Sequence, residues 1–194
     1  EVDIYGTDKK ELFEITRMEN GDVDVKVYDS NKKGDKQKLV YHRLFLKSQT
    51  KELNIYGLGD DDIFNITGGG NKGILIRTIG CLGKDTFNDS SKVGGFGKKT
   101  WVYDTPTGNT LNLGNEAKNK TSNHRDDNIY DRENIHYEYD FLMPLPIIGS
   151  NPDDGFLFGA FANWVRYGYK KFPYSQHHHL SITAAASKVS LDII

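Results

Sequence analysis

Residues 4–16, IYGTDKKELFEIT, and residues 55–67, IYGLGDDDIFNIT, align without a gap. Aligned on the opening tripeptide, five copies emerge: IYG at 4–6, VYD at 27–29, IYG at 55–57, TIG at 78–80 and VYD at 102–104. Each is followed by a polar turn and a large apolar residue, giving Phe13, Leu39, Phe64, Phe87 and Leu111. Segments leading into the copies, such as VDVKVY at 23–28, alternate in strand fashion. A period of this length, with two strands and two turns per unit, suits a stacked β-array or β-solenoid. One such unit cannot bury its apolar face alone, so stacking supplies the core and aligns equivalent residues. The spacing predicts two ladders, Ile4/Val27/Ile55/Thr78/Val102 and Phe13/Leu39/Phe64/Phe87/Leu111. An antiparallel meander or sandwich, which also places strands at short intervals, is the competing architecture.

The repeat frames the aspartates of GDDD at 59–62. In register Asp62 falls on Asp85, with Glu11 and Asn109 at the same place in outer copies. Asp60, Asp62 and Asp85 are the candidate metal residues, because calcium takes six to eight oxygen ligands that stacked carboxylates and turn carbonyls could provide. Turn chemistry is the simpler account, with Gly supplying positive φ and Asp bonding its own backbone. On that account no cofactor is needed. No catalytic residue is assigned, since acid–base work needs carboxyls whose environments push their pKa values apart.

Charge nearly cancels, 25 Lys+Arg against 27 Asp+Glu, which disfavours a nucleic-acid partner. The single cysteine, Cys81, excludes an internal disulfide framework and a cysteine-rich zinc site. The opening EVDIYGTDKK has no secretory leader pattern and no apolar run reaches transmembrane-helix length; VSLDII ends inside a strand pattern, which reads as the end of a fragment.

Three regions follow: a β-repeat module over 1–114, a polar linker over 115–135, and an aromatic, strand-rich region over 136–194. In the last, FLFGAFANWVRYGY at 156–169 is apolar or small on both faces and exceeds the ~9–11 residues a tilted strand needs to cross a bilayer. Leu157, Phe161 and Val165 are the candidate membrane-facing residues, and Trp164, Tyr167 and Tyr169 the candidate interfacial aromatics. LSITAAAS at 180–187 places Leu180, Ile182, Ala184 and Ala186 on one side, as lipid-out, lumen-in alternation would. A buried sandwich strand is the alternative. In the run His177–His179 only the first and third could share a ligand set, because neighbours in a strand point to opposite faces.

TKELNIYGLGDDDIFNITG, IRTIGCLGKDTF and GFLFGAFANWVRYGYKKFPYSQHHHLSITAAAS together resemble the C-terminal half of large Gram-negative proteins. In that family a calcineurin-like metallophosphoesterase precedes a β-repeat region and a surface-antigen type outer-membrane barrel. The resemblance implies an all-β chain: a β-solenoid-like repeat module followed by the first strands of an outer-membrane β-barrel. It implies a non-catalytic role, with outer-membrane lipid and other outer-membrane or periplasmic chains as partners and the repeat module periplasmic. No phosphoesterase metal motif occurs here, so no catalytic residue carries over. Asp60 and Cys81 stand where the family more often has glycine, which counts against calcium. An auxiliary region of a membrane-anchored metallophosphoesterase and a soluble calcium- or glycan-binding solenoid are the alternatives.

Overall fold

The computed structural model describes residues 1–131, 139–153, 155–185 and 189–193. The chain is all-β, built from several sheets, and no closed barrel is present among the described residues. The strands are, in order, β1 (Val2–Tyr5), β2 (Glu11–Arg17), β3 (Val23–Ser30), β4 (Lys36–Phe45), β5 (Glu52–Leu58), β6 (Ile63–Asn71), β7 (Leu75–Cys81), β8 (Thr86–Asp89), β9 (Lys92–Gly94), β10 (Thr100–Tyr103), β11 (Thr110–Leu113) and β12 (Ala117–Asn119). A single helical turn, α1 (Arg125–Asn128), follows, and then β13 (Phe141–Asn151), β14 (Gly155–Gly168), β15 (Lys171–Ala185) and β16 (Val189–Ile193). Two compact units result, residues 1–132 and 133–194.

In the first unit the chain alternates between two sheets. One sheet runs β1-β5-β7-β10-β12, every neighbouring pair parallel. The other runs β11-β8-β6-β2-β3-β4, parallel as far as β2 and antiparallel beyond it. Parallel pairing in register stacks like on like. Phe13 lies on Phe64 with ring centroids 4.6 Å apart, and Phe64 on Phe87 at 4.9 Å, in nearly parallel planes. Those separations match the spacing of neighbouring strands, so the rings stack because the backbone ladder sets their pitch. Leu111 continues the row beside Phe87, and Ile4, Ile55, Thr78 and Val102 form the facing row. The core lies between the two sheets, with Phe13, Ile15, Leu53, Ile55, Phe64, Ile66 and Phe87 fully buried.

The second copy departs from expectation. Neither Val27 nor Leu39 takes its expected place: Val27 on β3 pairs with Phe13 rather than with Ile4 and Ile55, and Leu39 on β4 pairs with Tyr28, in an antiparallel hairpin that extends the second sheet outward from β2. The reason lies in the intervening SNKKGD, residues 30–35, where Asn31 accepts hydrogen bonds from the backbone of Lys33 and Asp35 and Gly34 adopts φ of 87°. A tight turn between two alternating segments closes a hairpin rather than a stacked unit. Ile4 therefore pairs directly with Ile55, across the insertion.

Buried Arg17 ties the corners together. Its guanidinium donates to the carbonyls of Ile74 and Lys99 at 2.8 and 2.7 Å and to Thr100 Oγ1 at 3.0 Å. Burial lowers its pKa to about 10, so it stays a cation at neutral pH. Part of the stretch read as a linker also has structure: β12 pairs with β10, and Tyr130 packs on Tyr5 and Tyr56 at 4.5 and 5.4 Å. Residues 132–135 of that stretch lie outside the described residues.

The second unit is an antiparallel meander, β13-β14-β15-β16. Two residues, Tyr169 and Lys170, join β14 to β15, which are 14 and 15 residues long.

Candidate functional site

Where a polar turn follows each tripeptide in the first unit, the backbone needs a hydrogen-bond acceptor one strand away. The aspartates supply it. Asp62 Oδ1 accepts from the backbone N–H of Glu11, Asp85 Oδ1 from that of Asp62, and Asn109 Oδ1 from that of Asp85, all at 2.8 Å. Glu11 ends the row by accepting from the N–H of Thr7 at 3.0 Å. Each carboxyl thus anchors the turn of its neighbour, and Asp62 and Asp85 are completely buried.

Glycine makes room for this row. A Cβ at Gly57 would collide with Asp62 Oδ2, and one at Gly80 with Asp85 Oδ2 and Asp104 Oδ2. In the last copy, VYD at 102–104, Asp104 stands where Gly57 and Gly80 do, its carboxyl against that of Asp85. Neither Oδ2 finds a donor, and that of Asp62 finds none either. Burial foremost raises the pKa of Asp62 to about 9, opposed by its bond from Glu11. Burial also raises Asp85 and Asp104, and their proximity disfavours two negative charges. A proton on one of the pair supplies the missing donor. Asp104 was not singled out in the sequence; the D in VYD where IYG and TIG have G was its signal.

The three candidate metal residues do not converge. Asp60 is exposed at φ of 68° and accepts from the N–H of Asp61, while Asp62 and Asp85 face the interior. Among the described residues no cluster of three or more His, Cys, Asp or Glu side chains could hold a metal ion.

The outer face of the second sheet carries a polar ladder. Asn88 Nδ2 donates to Asn65 Oδ1 and Asn112 Nδ2 to Asn88 Oδ1, each at 2.8 Å. With Glu14, Thr16, Thr67 and Ser90 the first two line a shallow groove of about 280 Å³.

The meander sorts its side chains by strand register. Leu142, Pro144, Pro146 and Ile148 pair with Trp164, Ala162, Ala160 and Phe158, and the last three pair in turn with Leu180, Ile182 and Ala184. Period-two alternation puts all of these on one face. Between the polar Ser150 and His178 at its two ends it is apolar and open, with Phe158 59 % and Ile148 77 % exposed. Leu157, Phe161 and Val165 lie on the opposite face, across from Ala185, Ser181 and His177. The expectation that these three share an outward side with Leu180, Ile182 and Ala184 is therefore corrected: pairing of Ala162 with Leu180 fixes the parity, and both faces of β14 being apolar had hidden it. Ala186 lies outside the described residues.

Trp164 is on the open apolar face, next to His178 at 5.4 Å. Tyr167 lies where the register of β14 and β15 shifts, between Arg166 and Gly168, its N–H donating to Asp140 Oδ1 at 2.8 Å, and Tyr169 occupies the turn beneath Lys170 at 5.2 Å. The three interfacial candidates thus gather at one end of the sheet. His177 and His179 share the mixed face, His177 bonding Asn163 Oδ1 at 2.5 Å and His179 packing on Phe161 at 4.6 Å.

Comparisons with known protein families, curated proteins and solved structures found no match.

Proposed function

We propose that the chain is a non-catalytic portion of an outer-membrane β-barrel protein, in which a β-solenoid-like module spaces or docks partners beside the first strands of a barrel. One observation carries the reading: an unbroken, exposed apolar face across long antiparallel strands, backed by a face that mixes Asn163, His177, His179, Ser181 and Thr183 with apolar residues. Water would not tolerate such a face, and a bilayer would favour it. Lipid then contacts Phe158, Ala160, Ala162, Leu180 and Ile182, while Leu157, Phe161 and Val165 face inward. In lipid every unpaired strand edge costs several kcal/mol, so further strands or a neighbouring chain complete the wall. The stacked module is periplasmic in this reading, and its partners are outer-membrane lipid and other envelope proteins.

The chain has two tryptophans, Trp101 in the stacked unit and Trp164 on the apolar face. Reconstituted into bilayers whose acyl chains carry bromine, the Trp101→Phe variant is expected to lose most of its fluorescence, and the Trp164→Phe variant little. A chain that stays in the aqueous phase, with Trp164 unquenched, overturns the reading.

A further inference from the structure

We propose that the outer face of the second sheet is a binding site for an uncharged, extended polysaccharide, which gives the stacked unit a partner of defined chemistry. The site lies wholly within that unit, so it stands whether or not the meander meets lipid.

Parallel register builds the site. Glu14, Asn65, Asn88 and Asn112 fall on successive strands at one height, and Thr16 and Thr67 lie two residues further along theirs. Ser90 continues the hydroxyl row, its N–H bonded to the carbonyl of Ile66 at 2.9 Å. Neighbouring strands lie about 4.8 Å apart, so carboxamides and hydroxyls recur at that pitch in two parallel rows. Side chains two residues apart on a strand share a face, and the two rows together line the groove of about 280 Å³.

Both rows keep hydrogen-bonding capacity. A carboxamide has two N–H donors and an oxygen with two lone pairs. Asn88 uses one N–H toward Asn65 and one lone pair for Asn112, and keeps one of each. The ladder also fixes the orientation of these amides, so a ligand meets them already ordered. Thr16, Thr67 and Ser90 are exposed, and among the described residues no hydrogen bond engages the Thr16 or Thr67 hydroxyl.

Charge and polarity select the ligand. Of the lining residues only Glu14 ionises, and both its oxygens accept from Lys36 Nζ at 2.9 Å. The rest of the lining is hydroxyl and carboxamide, without a Leu, Ile, Val or aromatic side chain. Such a surface offers no counter-charge to an ion and no cover to an apolar molecule. It does match a chain of hydroxyls. A β-1,4-linked glycan stays straight and advances by nearly one strand spacing per sugar, so each sugar falls on one strand and is read along its hydroxyl edge.

Calorimetric titration of the full chain, in a detergent whose headgroup contains no sugar, tests this. Cellohexaose and chitohexaose are straight and neutral, maltohexaose coils, and hexagalacturonate is anionic. One or both straight sugars are expected to bind more tightly than either of the other two. Thr67→Val keeps the β-branched shape, removes one hydroxyl and is expected to weaken that binding about fivefold, and Thr16→Val with Thr67→Val about 25-fold. Thr107→Val, exposed in the turn between β10 and β11, is the matched control and should bind as the parent does. Absence of binding by both straight sugars, or an equal loss in the control, overturns the proposal while the lipid reading stands. Maltohexaose binding as tightly would show that strand pitch does not select the ligand, and hexagalacturonate binding as tightly that neutrality does not. Either result also overturns the proposal.

Discussion

In the stacked unit the apolar side of each strand is turned onto a second sheet, and Phe13, Phe64 and Phe87 have no solvent exposure. In the meander the apolar side has no second sheet of its own unit against it among the described residues, and Phe156 and Phe158 are 68 % and 59 % exposed. In both units one face of the strands carries an unbroken run of apolar residues. The difference is what stands opposite the apolar face, which alternation does not encode. It also decides where charge is tolerated: the stacked unit buries carboxyls by giving each a backbone N–H, whereas the apolar rows of the meander hold none.

The largest effect that would break this contrast is loss of the aromatic stack. Phe64→Ala should cost about 3–5 kcal/mol in chemical denaturation of the stacked unit, because it removes a ring packed on both sides and leaves a cavity. A cost below about 1 kcal/mol would mean that the two sheets do not share a tight interior.

Buried acids give the next effect. Asp62 holds its proton far better folded than unfolded, with a folded pKa of about 9, so its contribution is fullest below the ordinary carboxylate range and is lost as pH rises toward 9. The raised pKa values of Glu11, Asp85 and Asp104 act in the same direction. Stability of the stacked unit is expected to fall between pH 6 and pH 9, by up to about 4 kcal/mol for Asp62. Asp62→Asn should flatten that dependence while retaining the bond from Glu11, since Asn109 already makes the equivalent bond to Asp85. Denaturant midpoints at three pH values test this; stability that rises with pH would show that these carboxyls fold as anions.

Parity in the meander gives a paired test in bilayers. Ala160→Arg, on the open apolar face near its middle, should cost about 2–4 kcal/mol, and Phe161→Arg, one residue along on the mixed face, clearly less. The reverse order would return Leu157, Phe161 and Val165 to the lipid side.

The Phe13–Phe64–Phe87 ladder was legible because the repeat is free of gaps there, and parallel pairing turns equal sequence position into equal height. The Asp62–Asp85–Asn109 row was legible as a register for the same reason. Its meaning was not: whether a carboxyl in a turn faces solvent, a cation or a backbone N–H depends on the glycine row that opens space beside it. For β14, residues of both parities are apolar, so only its pairing with β15 could say which side Phe161 takes. The hairpin of residues 23–45 was missed because VYD at 27–29 is identical to VYD at 102–104, although the first strand is followed by an antiparallel return and the second is not.

Leu39 measures that last distinction at the smallest scale. By sequence it is the counterpart of Phe64; in the fold it lies on β4, pairs with Tyr28 beside an irregularity of the ladder, and is 44 % exposed. An exposed leucine has little cavity to leave and little transfer energy to lose. Leu39→Ala should therefore change stability by no more than about 0.5 kcal/mol, with the denaturant midpoint shifting slightly and its slope unchanged. A loss of 2–5 kcal/mol, the range for a buried leucine, would place Leu39 in the interior with Phe13 and Phe64. Residues 23–45 would then form a stacked unit of their own, and the direct pairing of Ile4 with Ile55 would be wrong.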